Sequence, residues 1–562
     1  MKADLNITFY REKRFKETPI GKIPEDWDVI KLGAILNLKN GERPKISKTG
    51  KIPIYGANGV MGFTTEFLID NDFTIIIGRV GASGEVHLGQ GKIWVSDNAI
   101  YSENYNKHKT YLPFIYYLLK LKNLGRFATK TTHPIITQTF LKSLSIQLPP
   151  LSEQEAIAHV LSTVDEAIQK TDEIIERIKR LKKGLMQELL MKGFTLGFMF
   201  DTNIFDKILD GKVKLPIGLR YYVTHIQLDE ILNMPESKKE RRKKLLETFN
   251  RVPKEVIATK GAVYGVSKFG MAEYMSEKDA ELYRKMLRRL NELDKRAGKR
   301  KSPENQARDI LIALTCLKNC ITLVTNDKNL KRIAQEFQCP SITFEQLLRG
   351  ELREFKNTEI GRIPKEWEVV RLGNVLELCQ YGLSIKMSDK GKYPIIRMDE
   401  IENGYVIPQI AKRVDLDEKT FRAFKLEKGD ILFNRTNSYE LVGRTGIFLL
   451  DGDYVFASYL IRLRVKRSVI DPRYLTFYMI FSHDRLRQLA TQAVHQANIN
   501  ATNLKKFKIP LPPLEEQRKI AEILSTVDKR LEVERKRKEK LERIKKGLMD
   551  LLLTGKIRVE VS

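Results

Sequence analysis

Apolar residues recur at steps of three and four in two separate stretches of this chain. In the first they are Ile157, Val160, Leu161, Val164, Ile168, Ile174, Ile175, Ile178, Leu181, Leu185 and Leu189. In the second they are Ile520, Ile523, Leu524, Val527, Leu531, Leu541, Ile544, Leu548 and Leu552. That period lays one apolar stripe along each of two long helices, with heptad-like spacing suited to helix–helix packing. Ser152 with Glu155 three residues on reads as a capping box, and Gly193 as a helix stop. About 38 residues at 1.5 Å each span about 57 Å, more than one small domain can cover. The pattern predicts an antiparallel pair, with Val164, Ile168 and Leu181 on one helix and Val527, Leu531 and Leu548 on the other. The alternative is two separate helices, each docking on another subunit.

Outside these stretches the pattern is of two kinds. Residues 1–147 and 351–510 carry short β-type runs between glycine turns, such as GANGVMG, GASGEVHLGQG and LVGRTGIFLL. Their basic, aromatic and amide loop residues are candidate DNA contacts: Arg43, Lys45, Tyr55, Asn58 and Arg79, then Tyr381, Ser384, Arg397, Arg435, Asn437 and Arg444. Arginine reads guanine and asparagine reads adenine through paired hydrogen bonds, whereas contacts to phosphate only position the protein. Residues 194–350 instead alternate strands with helices, which predicts an α/β unit on a parallel sheet with its site at the carboxyl ends of the strands. Asp201 follows LGFMF and Asp327 follows ITLVTN, so both fall there; Asp309 is expected to open an apolar helix and Glu230 to lie early in another. Carboxylates crowded together suit a hard divalent cation, Mg²⁺ or Mn²⁺, which can bind a phosphate oxygen and activate water.

The chain also repeats itself. LPPLSEQEAIAHVLSTVDEAI from Leu148 returns as LPPLEEQRKIAEILSTVDKRL from Leu511, and TPIGKIPEDWDVIKLG from Thr18 returns as TEIGRIPKEWEVVRLG from Thr358. The order is recognition domain (1–147), long helix (148–193), insert (194–350), recognition domain (351–510), long helix (511–562). Two copies are too few for a solenoid; they build an α+β multidomain molecule with internal pseudo-two-fold symmetry, suited to a target with two half-sites.

Charge then names the partner. The net charge is +28, which favours an anionic partner such as double-stranded DNA. Four cysteines in 562 residues make no disulfide framework. No apolar run reaches 18 residues and no signal peptide opens the chain, so a cytoplasmic protein without membrane contact is expected.

The doubled order of TxIGxIPxxWxVxxLG, a β-rich domain, LPPLxEQ and a long helix ending in KKGLM resembles the specificity subunit of type I restriction–modification systems. The resemblance implies two target-recognition domains, each reading half of a split DNA site, and partnership with two methyltransferase subunits and ATP-driven restriction subunits. The sequence has no GxxxxGK[ST] loop and no NPP[FYW] motif, so neither ATP nor S-adenosylmethionine is expected on this chain. The insert has no counterpart in an ordinary specificity subunit. Its DTN (201–203), DILIALT (309–315) and TND (325–327) resemble the PIN-domain nucleases, including toxins of toxin–antitoxin pairs. That resemblance implies Asp201, Asp309 and Asp327 as metal ligands, Glu230 as a fourth catalytic acid, Asn203 and Thr325 as supports, and single-stranded RNA as substrate. Asn329 stands where some members have a further acid. The contrasting reading is a toxin-like nuclease that duplicated nucleic-acid-binding domains deliver.

Overall fold

The computed structural model describes residues 7–129, 134–195, 197–209, 213–216, 218–268, 270–299, 301–409, 412–493 and 496–561. They form two compact units, one of residues 1–178 with 530–562 and the other of residues 179–529.

In the first unit the repeated motif becomes a clasp around a buried tryptophan. Phe15–Thr18 and Gly21–Pro24 form an antiparallel hairpin, turning through Gly21 at φ 109°, a region open to glycine at no steric cost. Trp27, completely buried, follows, and Asp28–Lys31 pairs with Ser145–Leu148 just before the first long helix. Beyond the clasp lies a six-stranded sheet in the order Leu36–Asn40, Ala99–Tyr105, Ile69–Gly78, Val86–Val95, Ile52–Gly56, Gly59–Thr64. The chain's last strand, Ile557–Val561, pairs antiparallel with Ile7–Arg11.

The second unit builds the same clasp from Phe355–Thr358, Gly361–Pro364, Trp367, Glu368–Arg371 and Lys508–Leu511, with Gly361 at φ 118°. Its main sheet again has six strands: Leu376–Tyr381, Leu460–Val465, Ile431–Asn434, Thr445–Ile447, Tyr405–Val406, Ile401–Glu402. The unit also contains the insert, with strands β1 (Gly197–Phe200), β2 (Tyr221–Val223), β3 (Glu255–Val256), β4 (Ile321–Val324) and β5 (Ser341–Ile342). All five are parallel, in the order β3-β2-β1-β4-β5. Phe198 and Phe200 pack on one face and Met199 on the other. A parallel sheet covered on both faces needs such unbroken apolar runs. The helices that matter to its site are α1 (Thr202–Leu209), α2 (His225–Leu232), α3 (Glu277–Arg296) and α4 (Pro303–Lys318).

The two long helices run from Leu151 to Lys192 and from Leu514 to Leu552, and three expectations about them need correction. First, the helix starts at Leu151, so Ser152 lies inside it and caps nothing. The Gln154 N–H instead donates to the Pro150 carbonyl at 3.0 Å. Second, Leu181 is 56% exposed; Val164, Ile168, Val527 and Leu548 are half-buried, and of the six only Leu531 is fully buried. Third, the seam is polar as well as apolar. In the first unit Lys545 bridges Asp165 at 2.6 Å and Lys538 bridges Asp172 at 2.7 Å; in the second, Lys182 bridges Asp528 at 2.5 Å. The two bridges of the first unit run antiparallel, and in the second Lys182 holds the seam position that leaves its neighbour Leu181 outside.

Candidate functional sites

The repeated LPPLxEQ motif locks each clasp to its helix. Glu153 accepts from the Trp27 indole at 3.0 Å and Glu516 from Trp367 at 2.9 Å. Gln154 bonds the Pro149 and Lys109 carbonyls and the Tyr111 N–H, each at 2.9 Å. Gln517 bonds Pro512, Val469 and Asp471 in the same way.

Contacts link several of the candidate DNA residues within each recognition domain. In the second domain the Arg435 guanidinium lies over the Tyr381 ring at 4.9 Å and donates to the Ser458 carbonyl. The Ser458 N–H in turn bonds Leu383, next to exposed Ser384. Asn437 reaches Met398, the neighbour of Arg397, and Arg444 is exposed, its carbonyl bonded to the Asn434 N–H at 2.8 Å. Among the described residues, the Nε atoms of Arg397 and Arg435 and both amide atoms of fully buried Asn434 have no hydrogen-bond partner. In the first domain Arg79 follows the strand Ile69–Gly78 and takes up the Asn98 carbonyl. The Tyr55 carbonyl accepts from Ser96, and the Glu42 N–H beside exposed Arg43 bonds Val95. Asn58 and Lys45 are exposed nearby in sequence, Asn58 at the tip of a hairpin.

Arg79 and Arg435 are equivalent. Each directly follows a central strand, and each carbonyl accepts from an isoleucine N–H, Ile136 at 3.1 Å and Ile499 at 2.8 Å. Sequence reasoning chose both but could not pair them, because their separation matches neither repeat offset. It missed the exposed apolar residues Ile46, Val60, Met61 and Phe63 of the first domain, where a run without polar alternation was the available signal. Apolar side chains suit the thymine methyl group.

In the insert, Asp201 and Asp327 follow β1 and β4, the adjacent strands at which the chain order reverses. Such a switch point opens a crevice at the carboxyl ends of a parallel sheet. The Thr325 hydroxyl donates to Asp201 Oδ2 at 2.6 Å, and the Asn203 amide donates to the same oxygen. Thr202 donates to Glu230 on α2. Lys301 bridges Asp309 Oδ2 at 2.7 Å and Asp327 Oδ2 at 2.8 Å, and Lys299 adds a contact to Asp327 at 3.2 Å. Burial, then the charges of Glu230 and Asp327, push Asp201 up to about 6. Burial and Asp201 push Asp309 up to about 7, and burial with Asp309 raises Glu230. Asp327 is also penalised by burial, but Lys301 and the backbone at Leu330 outweigh this and hold it at about 2.

An all-oxygen donor set whose members raise one another suits a hard cation. As the side chains stand, no three metal-ligating groups converge among the described residues; the Lys301 ammonium supplies the positive charge between Asp309 and Asp327. Sequence reasoning also missed Asp294 of α3, 1% exposed, which accepts from Gln306 at 2.8 Å and Asn329 at 2.7 Å. Asn329 thus binds an acid rather than standing in for one.

The family model for the type I restriction modification DNA specificity domain matches residues 24–180 and 364–543, more than half of the chain. The chain belongs to this family. The putative type I restriction enzyme MjaX specificity subunit of Methanocaldococcus jannaschii is 38% identical over 205 residues, 36% of this chain and 48% of the relative, so the match spans about half of that protein. The MjaVIII specificity subunit of the same organism is 24% identical over 577 residues, covering 99% and 98% of the two chains. The solved S subunit of a type I restriction–modification system from M. genitalium covers 94% of this chain and 96% of its own, at 15% identity and a TM-score of 0.47. This DNA specificity chain has, among its described residues, no helix long and apolar enough to cross a membrane.

Proposed function

We propose that this chain is the sequence-reading subunit of a type I restriction–modification complex, that it binds a bipartite duplex site, and that it recruits two methyltransferase subunits and restriction subunits. The observation that carries the reading is the equivalence of Arg79 and Arg435, one arginine held by the same backbone contact in each copy of a duplicated domain of the DNA specificity family. Arg79→Ala and Arg435→Ala should each weaken binding of the cognate duplex by about 1–3 kcal/mol and relax reading at one half-site only. Methylation by the assembled complex on half-site variants checks it. Loss at both half-sites from one substitution, or at neither, would remove these arginines from the reading.

The insert is proposed as a PIN-like, Mg²⁺- or Mn²⁺-dependent nuclease acting on single-stranded RNA. The support is Asp201, Glu230, Asp309 and Asp327 at the switch point of a parallel sheet. Asp201, Asp309 and Asp327 would hold the cation, which when bound supplies charge neutralisation and an activated water. Thr325 and Asn203 both donate to one oxygen of Asp201, which fixes its orientation; Thr202 does the same for Glu230. Incubation with RNA and DNA, in Mn²⁺ and in EDTA, alongside Asp201→Asn, tests this. Cleavage that survives EDTA or the substitution defeats it.

A further inference from the structure

The segment between β3 and α3 carries the two most exposed large hydrophobic side chains of the described residues, Tyr264 at 105% and Tyr274 at 99%. Its described residues are tied by hydrogen bonds and ion pairs. Its base is closed by Thr259, which bonds Met271 at 3.0 Å and Glu273 at 2.9 Å, and by the Lys260–Glu273 ion pair. Inside, Ser267 bonds Val263 and Gly261. The lobe is also tied to both helices that carry the acids of the cleft. The Lys260 N–H donates to Thr315 of α4 at 3.0 Å. On α2, His225 meets the Val266 carbonyl at 3.3 Å, and Lys268 pairs with Asp229, the residue before Glu230. Strand β3 ends at the same edge of the sheet as β1 and β4, because all the strands are parallel.

A tyrosine ring in full contact with water is an apolar surface that the fold leaves uncovered, here between backbone hydrogen bonds made by neighbouring residues. The insert as a whole (194–350) carries 30 basic against 20 acidic residues, a balance that favours a polyanion. Unpaired bases offer what both features fit, a π-face for the ring and a phosphate backbone for the charge. Paired bases have no free face, so a duplex does not satisfy the rings.

We infer that Tyr264 and Tyr274 form a stacking platform for unpaired bases of a single-stranded nucleic acid led to the Asp201–Asp309 cleft. The inference rests on the nuclease reading for its purpose but not for its test, which measures binding without cleavage. The full chain in EDTA is titrated against a fluorescent 12-nucleotide RNA and the DNA of the same sequence, with excess unlabelled duplex occupying the recognition domains. Tyr264→Ala and Tyr274→Ala should each weaken single-strand binding about tenfold, the size of one base–aromatic stack. Tyr264→Phe and Tyr274→Phe should bind as the unsubstituted protein does, since the ring remains. Melting temperatures should not move, as neither side chain packs on the fold. The RNA and DNA arms report whether the 2′-hydroxyl matters. Equal binding by the alanine variants, or no single-strand binding by the unsubstituted chain, overturns the platform. Normal stacking without cleavage in Mn²⁺ would leave the platform standing and defeat only the nuclease.

Discussion

Arg353 and Arg558 do the same work in the two units, although they come from unrelated places in the chain. Each guanidinium lies 5.6 Å from the ring of a clasp tryptophan, Trp367 or Trp27. Each forks onto the glutamate of an LPPLxEQ motif: Arg353 to Glu516 at 2.7 and 2.9 Å, Arg558 to Glu153 at 2.7 and 2.8 Å. Each also takes the acid before its tryptophan, Glu366 or Asp26. Arg353 directly precedes its clasp, whereas Arg558 arrives on the chain's last strand.

Removing either arginine leaves carboxylates buried without their cation, which typically costs about 3–5 kcal/mol. Arg353→Ala and Arg558→Ala should therefore lower the denaturant midpoint of the chain markedly. Lysine should rescue little, because an ammonium cannot present the two-pronged fork. Full stability of Arg353→Lys would show that charge alone suffices.

The long helices offer a contrast that the apolar pattern alone does not. Leu531→Asp should destabilise by about 3 kcal/mol or more, since it places a carboxylate at a fully buried position. Leu181→Asp should stay within about 0.5 kcal/mol, as an exposed substitution does. Chemical denaturation of both variants decides it, and equal losses would contradict the seam described above.

The cleft acids predict a pH dependence in metal-free buffer. Asp201 and Asp309 move from the ordinary 3.8 to about 6 and about 7 on folding. Between pH 4 and 7 the folded chain therefore holds protons that the unfolded chain has released, and their contribution to stability falls as pH rises. The opposite shift of Asp327, to about 2, makes its contribution rise between pH 2 and 4. The loss of stability from pH 5 to 7.5 should be smaller in Asp309→Asn than in the unsubstituted chain. Parallel pH profiles would show that this carboxyl is ionised throughout.

Lys301 lies between Asp309 and Asp327, two of the proposed cation ligands. Lys301→Ala should bind Mn²⁺ more tightly, on the order of tenfold or about 1.4 kcal/mol, and should melt lower than the unsubstituted chain in EDTA. Titration calorimetry reads the first and thermal unfolding the second. Unchanged Mn²⁺ affinity would place Lys301 outside the cation's path.

Part of this was legible as pattern: the long helices follow from the repeated apolar period of residues 148–193 and 511–562, and the strand-end positions of Asp201 and Asp327 from the strand–helix alternation of residues 194–350. Three features were not. The arginines at 353 and 558 lie outside the repeats, so no alignment of the two copies pairs them. Lys301 sits in a run of basic residues that reads as solvated surface, and only the folding of its loop across Asp309 and Asp327 reveals its role. The polar seam escaped because hydrophobic period reports which residues are apolar, not which buried neighbours are charged and paired across helices.

Where the first long helix ends, Gly193 at φ 80° leaves no room for a side chain beside Arg353 and Glu516. The Phe194 N–H donates to Glu516 at 2.7 Å, and Arg353 grips the same carboxylate. The 158 residues between Phe194 and Arg353 thus depart and return at one group. A stretch so attached behaves as a cassette: a single genetic exchange can add or delete it without shifting the register of either helix. Selection on which DNA is read and selection on what the cleft does can then proceed at separate rates within one gene.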